Sequence, residues 1–409
     1  MHKANLIALL VLFTGCSSES PQNQFESLLG SEWSKVVNDN PVYASSMGDL
    51  SRNTEWSDTS VENIYSDHQH QLDVLNRLDS LDISNFSEDN KVNYKLFNQE
   101  YKNSTESHAY KTFLMPFSHR GGIQLQHETI SIVPLRNKQH YLDWIERISK
   151  IDVLVDAAIE KAKLGISEEI VPPRFLMQKV FKQIKLQAFV EPKDSPFYRA
   201  FLEIDSSIER VDIDEIQQEA LNVIKLKVIP AYVKLHRFFK DEYLPACRTS
   251  IGIKEINNGK EYYEFLARKF TTTNLSPKEI HEIGLSEVAR IRDEMDTIIN
   301  DVKWEGTFKS FLDDLRTNPK FYYETSEELF ESYLATSKRI DPELVKLFKV
   351  LPSMPYGLKP IPMESAPDTT TAYYQRPAAD GSRAGYYYVN LYRPEVRPKY
   401  EIEVLSVHE

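Results

Sequence analysis

The sequence predicts a mainly α-helical protein with one small β-sheet near its C-terminal end. Two observations carry this expectation. Apolar residues recur at helical spacing along most of the chain up to Leu351. Beyond it, Pro352, Pro355, Pro360, Pro362 and Pro367 forbid a continuous helix, and two short runs rich in Thr, Tyr and Val follow.

The helical segments read in order. Val61 to Leu81 places Ile64, Leu72, Leu75 and Leu78 on one face. His140 to Leu164 repeats the pattern through Tyr141, Trp144, Ile145, Ile148 and Ile151, and Gly165 reads as its C-terminal stop. Asp212 to Leu244 is a long pattern (Ile216, Ala220, Val223, Ile224, Val228) with a kink expected at Pro230. Ser276-Pro277-Lys278-Glu279 has the form of a helix start: Ser as N-cap, Pro in the first turn and Glu three residues on. That helix should run to about Val302, with shorter ones over Glu327 to Arg339 and Pro342 to Val350. No fixed-period repeat is present, which argues against a solenoid.

The β-like runs are Thr369 to Gln375 and Gly385 to Tyr392, with Asp380-Gly381 between them. A long-looped hairpin is the natural expectation. Pro398 then opens a last helix, with Glu401 in its first turn, carrying Val404, Leu405 and Val407 to His408-Glu409. Ending there leaves an apolar helix without a cap, so the chain is expected to be incomplete at its C-terminus.

Composition narrows the function classes. The 409 residues are 41% apolar and 27% charged, enough for a large core in one or two units. Lys and Arg number 49 against 61 Asp and Glu, and no basic block interrupts the acidic balance, so no nucleic-acid partner is expected. The 22 tyrosines suit a cleft or interface, offering an apolar ring with a polar tip.

The N-terminus has Lys3, an apolar run from Leu6 to Phe13 too short to span a bilayer, and then Thr14-Gly15-Cys16. This junction resembles a bacterial lipoprotein processing site, which implies a signal peptide over 1–16, a lipidated Cys16 and a polar tether over 17–24. Ser17 rather than Asp after the cysteine implies passage to the outer membrane, on its periplasmic face, with the lipid as the sole membrane contact. Cys247 is then without an intramolecular partner and reads as an inert, packed thiol.

Three His-Glu pairs occur: His127-Glu128, His281-Glu282 and His408-Glu409. A zinc hydrolase needs histidines on one helix face and a Glu aimed at the metal-bound water. The first two pairs lack a second His at the usual offset, and both read as surface or capping residues. By spacing alone, His408-Glu409 is also only a dipeptide.

The stretch TTTAYYQRPAADGSRAGYYYVNLYRPEVRPKYEIEVLSVHE resembles the region before the active-site helix of a bacterial family of zincin-like proteins, domain of unknown function 885. There the helix continues as H-E-A-x-P-G-H-H. Further likenesses lie at Arg120-Gly121-Gly122-Ile123-Gln124, Ile170-Val171-Pro172-Pro173, Phe270 to His281, Arg339-Ile340-Asp341-Pro342 and Leu351-Pro352. They span about residue 25 to the end. By this likeness His281 belongs to a packed helix start.

The resemblance implies a zincin-like helical metallopeptidase architecture. An N-terminal helical subdomain would cover 25–250, and 251–409 would be the front part of the catalytic one. His408 maps to the first zinc ligand and Glu409 to the catalytic general base; the family's later ligands have no counterpart here. The implied cofactor is zinc, the implied substrate a peptide bond in the cell envelope, and the 409-residue fragment is expected to be inactive. In zincins an edge strand aligns the substrate, and Gly385 to Tyr392 is the candidate. Alternation separates Tyr386, Tyr388 and Asn390 from the more apolar Tyr387, Val389 and Leu391, so Tyr388 and Asn390 are aimed at the cleft, with Tyr373 and Tyr374 as further candidates. The competing expectation is a non-catalytic lipoprotein that binds a peptide or a partner protein through the same cleft.

Overall fold

A computed structural model describes residues 19–204, 207–363, 366–377, 381 and 384–409. Cys16, and with it the expected lipid attachment, lies outside the described residues, as does Asp380. The protein is mainly helical with a small three-stranded sheet near the C-terminal end. The chain divides into two units, one of described residues up to Tyr43 with Arg52–Lys269, the other of Ala44–Ser51 with Phe270–Glu409.

The first unit begins with α1 (Pro21–Asp39), capped by Ser20, whose hydroxyl accepts from Asn23 N. After α2 (Pro41–Met47), α3 (Val61–Asp79) and α4 (Glu88–His108) pack with α1 around Phe25, Leu28, Val74, Leu78 and Phe86. The main core is built by α5 (Lys138–Ser149), α6 (Ile151–Ser167), α7 (Arg174–Ala188), α8 (Arg210–Val223) and α9 (Ile229–Phe238). Trp144, Ile148, Val155, Val180, Ile216 and Tyr232 sit inside it. The short α10 (Leu244–Ala246) follows, and α11 (Gly259–Thr271) closes the unit. Phe265 of α11 is buried and stacks on Tyr110, and Arg268 pairs with Glu106, which places the division at Lys269/Phe270, later than the expected 250/251.

Two expected features differ in detail. The helix expected over His140 to Leu164 is two helices, interrupted at Lys150. Gly165 is no stop: it lies within α6, and a Cβ there would come within 2.6 Å of the Leu114 carbonyl and 2.8 Å of the Ile170 carbonyl. The glycine is present because two backbone segments approach that helix face closely.

At Pro230, where a kink is expected, the helical path continues through a wider turn. Ile224–Val228 forms a π turn whose closing bond runs from Ile229 N to the Ile224 carbonyl. Proline has no N–H for the carbonyl four residues back, and its ring crowds that carbonyl; one wider turn relieves both. Phe239–Tyr243 does the same before Pro245.

The second unit contains α12 (Pro277–Asp301), α13 (Phe308–Thr317), α14 (Ser326–Ile340), β1 (Tyr356–Pro360), β2 (Ala372–Gln375), β3 (Gly385–Val389) and α15 (Ile402–His408). The Ser276 start of α12 is a complete capping box: Ser276 accepts from Glu279 N, and Glu279 accepts from Ser276 N at 2.8 Å. The expected helix over Pro342 to Val350 is only a 3-10 turn, Asp341–Lys346. The strand order is β1-β3-β2, with β3 antiparallel to β2 and parallel to β1. One sheet face carries Tyr387 and Val389, and these join Leu329 and Tyr333 of α14 and Ile402 of α15 in a small core.

The Gly165 geometry makes a direct prediction. In an ordinary helix interior Gly→Ala stabilises by about 1 kcal/mol. Here Gly165→Ala should destabilise by about 2–4 kcal/mol, because the atoms it meets are backbone and cannot rotate away. Urea unfolding of the two chains measures the difference, and a gain in stability would contradict the packing described.

Candidate functional site

The final helix, the end of α14 and the sheet enclose a cleft of about 630 Å³ in the second unit. His408, Glu409, Glu403 and Ser406 come from one wall, Thr336 and Arg339 from another, and Tyr356, Tyr374 and Tyr387 from the three strands. Leu347 and Phe348 form an exposed apolar lip.

Packing explains how these tyrosines reach one place. Tyr374 pairs across the ladder with Tyr387, and Leu358 pairs with Tyr387 on the other side, so β1 and β2 present the same face as Tyr387. Tyr374 reaches across Gly385, whose missing Cβ leaves room for the phenol: a Cβ there would lie 2.0 Å from the hydroxyl oxygen. The Tyr387 ring meets Tyr333 edge-on at 5.9 Å.

Two of the phenols are held firmly protonated. Burial pushes Tyr387 up to about 12; the nearby Ser406 hydroxyl pulls the other way without a hydrogen bond of good geometry, and the Glu409 charge adds to the rise. Burial, followed by a 2.7 Å hydrogen bond donated to Asp341, also pushes Tyr356 up to about 12. Tyr387 can therefore donate to a carbonyl or carboxylate near neutral pH, whereas the single proton of Tyr356 is held by Asp341.

His408 is exposed and Glu409 half-buried at the end of α15. Among the described residues neither side chain has a hydrogen bond or ion pair to hold its orientation. Among the described residues no three of His, Cys, Asp and Glu converge on a point that could hold a metal ion. Glu403 and Glu343 border the cleft, but Glu343 is engaged by Lys346.

Residues 41–409 match the family described as bacterial protein of unknown function (DUF885). The chain belongs to this family. A protein from Colwellia psychrerythraea, described as a "putative lipoprotein", has a similar crystal structure, with a TM-score of 0.82 and 21% identity; the match covers 96% of this chain and 71% of that one. A protein from Shewanella oneidensis, described as a "putative lipoprotein of unknown function", matches with a TM-score of 0.55 and 13% identity over 96% of this chain and 70% of that one. At these identities the likeness is one of fold. No curated protein matches the chain.

Against this geometry, the residues expected to bind substrate separate. Tyr374 does line the cleft, and Tyr387 and Tyr356 line it unexpectedly. Tyr373 and Tyr388 lie on the opposite sheet face, stacked on each other at 4.8 Å. Asn390 is fully buried: its amide donates to the Ala366 and Thr370 carbonyls at 2.8 and 3.0 Å, and its Oδ1 accepts from Tyr392 N. It ties the connection before β2 to the end of β3 and is no cleft residue. β3 is also no edge strand, since β1 and β2 occupy both its sides.

The expectation that aimed Tyr388 and Asn390 at the cleft divided the strand correctly and chose the wrong face. The helix carrying His408 must pack its own apolar side on the apolar sheet face, so the cleft opens there. That apolar preference was the available signal.

The other His-Glu pairs and the second cysteine have ordinary surroundings. His281 is exposed on α12, so it is not packed as the family likeness implied. His127 is half-buried in the first unit and so is neither a surface nor a capping residue; the Gln187 amide donates to its Nδ1 at 2.9 Å, and its ring meets Phe197. Cys247 is buried, and burial pushes its thiol up to about 12, against the opposing Arg174 charge.

Burial, with the Arg199 charge adding to it, pushes the His127 imidazole down to about 4. A histidine in the unfolded chain titrates near 6.5, so between about pH 4 and 6.5 the unfolded state binds more protons, and stability falls as pH drops through that window. His127→Gln should remove about 1–2 kcal/mol of this acid loss, after allowing for the ring's partial exposure. Urea midpoints at about pH 7 and about pH 4.5 read the difference; equal acid sensitivity of both chains would contradict it.

Proposed function

We propose that the protein is the front part of a zinc-dependent peptide hydrolase of the cell envelope, anchored by a lipid on Cys16. Its catalytic region has a zincin-like arrangement, with His408 as one zinc ligand and Glu409 as the general base that accepts a proton from the attacking water. The observation that carries the reading is the position of His408-Glu409 on the wall of a cleft whose other side is a small sheet lined with phenols. Membership of the family, whose stretch before the active-site helix the C-terminal segment resembles, supports it.

The sheet order revises how a peptide would lie. The outer strands β1 and β2 have an unpaired side among the described residues, and each sends one tyrosine, Tyr356 or Tyr374, into the cleft. An extended peptide would add to one of these strands, with its side chains against the Leu347 and Phe348 lip.

The described residues alone do not fit a catalytic zinc. Such a site takes about three protein ligands and a water, and the cleft supplies one histidine and no converging ligand group. The reading therefore includes further ligands encoded after residue 409, and the 409-residue chain by itself is expected neither to hold zinc tightly nor to cleave peptides.

The coding sequence beyond codon 409 gives the first test: further histidines and a glutamate support the hydrolase, and an immediate stop favours a non-catalytic peptide- or partner-binding lipoprotein. A chain continued through that sequence should hold one zinc and cleave peptides in a chelator-sensitive way. Glu409→Gln in that chain should keep the zinc and lose about 10²–10⁴-fold in cleavage rate. Metal content with a peptide-cleavage assay reads both, and stoichiometric zinc with cleavage by the 409-residue chain would overturn the proposal.

The envelope address rests on the Thr14-Gly15-Cys16 junction. Among the described residues no helix is long and apolar enough to cross a membrane. Cells fed a fatty-acid analogue should label the native chain and leave Cys16→Ser unlabelled; equal labelling of both would remove the anchor from the proposal.

A further inference from the structure

The first unit holds another cavity, of about 340 Å³, whose lining is not used by the hydrolase reading. Its apolar walls include Trp56, Ile123 and Leu154, and its polar lining includes Thr59, Gln126, Thr129 and Lys161. Gly122 also borders it, so the Gly-Gly turn singled out in the sequence forms part of its wall.

Lys161 is the unusual member. It sits in the middle of α6, is only 7% exposed, and donates to the Thr59 carbonyl at 2.6 Å. Among the described residues no carboxylate lies within ion-pair distance of its ammonium. Asp58 and Glu160 act on it only from further away, and desolvation outweighs them, so its pKa is lowered.

The contrast with Lys150 shows what is missing. Lys150 ties the same loop to the same helical layer by donating to the Thr54 carbonyl at 3.1 Å. It also has a carboxylate partner, Glu146, at 2.8 Å, and its side chain is 41% exposed. Lys161 makes the equivalent tether but is buried without the partner. A buried ammonium with one hydrogen bond and no counter-charge is costly, and tethering a loop does not require burying a charge. Two neutral polar residues of the lining, Gln126 and Thr129, are paired with each other, Thr129 Oγ1 donating to Gln126 Oε1 at 3.2 Å.

We propose that this cavity binds a small apolar monocarboxylate. Its carboxylate takes the place of the missing counter-ion on Lys161, and its hydrocarbon part lies against Trp56, Ile123 and Leu154. The cavity volume suits a short-chain or aryl-substituted acid. One anionic end is specified, because the cavity lining offers one buried cation.

Hexanoate is the probe, with hexanamide as its uncharged counterpart, titrated calorimetrically into the full chain. Hexanoate should bind saturably at one site per chain and hexanamide at least tenfold more weakly. Lys161→Met, which keeps the length and apolar character of the stem, should also weaken hexanoate at least tenfold while leaving hexanamide unchanged. No saturable heat below about 10 mM hexanoate, or equal binding of acid and amide by the native chain, would overturn the proposal. The acid–amide comparison needs no variant, so it decides the matter even if Lys161→Met fails to fold. Equal hexanoate binding by a folded Lys161→Met chain would overturn it as well.

Discussion

The second unit depends on the burial of one short strand. β3 is paired on both sides, and its Tyr387 and Val389 lie under Leu329, Tyr333 and Ile402. Removing such side chains from water contributes roughly 1.5–3 kcal/mol each. An isolated two-stranded hairpin is marginal, so the third strand and two helices are what make this sheet persist. The same packing orients α15 and so decides where His408 and Glu409 point. Every feature of the cleft, from the Tyr374 ring across Gly385 to the protonated Tyr387, follows from which sheet face those helices cover.

Proline handling shapes the first unit in a comparable way. A continuous helical path from Arg210 to Ala246 contains two prolines in its interior, and each is preceded by a π turn. The widened turns keep Ile224, Val228, Phe239 and Tyr243 in the core, where an outright break would have turned them away. The close backbone contact at Gly165 works on another helix of that unit. At Gly165 local chemistry alone suggests an ending, and packing imposes continuation.

The polar interior is used in two different manners. Asn390 has donors and acceptor satisfied by three backbone groups, so its burial carries little penalty and fixes a connection. Lys161 is buried with less compensation, and its surroundings leave a cavity beside the charge. A satisfied buried amide is explained by structure; a buried ammonium beside open space asks for a ligand.

Much of the helical framework was legible in the sequence, because helix starts and amphipathic spacing are local properties. The capping box at Ser276, the helix over Val61–Asp79 and the two β-like runs are of this kind. So was the division of β3 into two faces, since alternation needs only the strand period. Three things were decided by the tertiary structure. β1 is flanked by prolines and pairs in parallel with a strand far along the chain, a contact no local pattern announces. The orientation of Gly165 and the route past Pro230 depend on neighbours remote in sequence. The face of the sheet that borders the cleft is fixed by where α14 and α15 bury their apolar sides, because burial energy belongs to the assembled layers and not to any one segment.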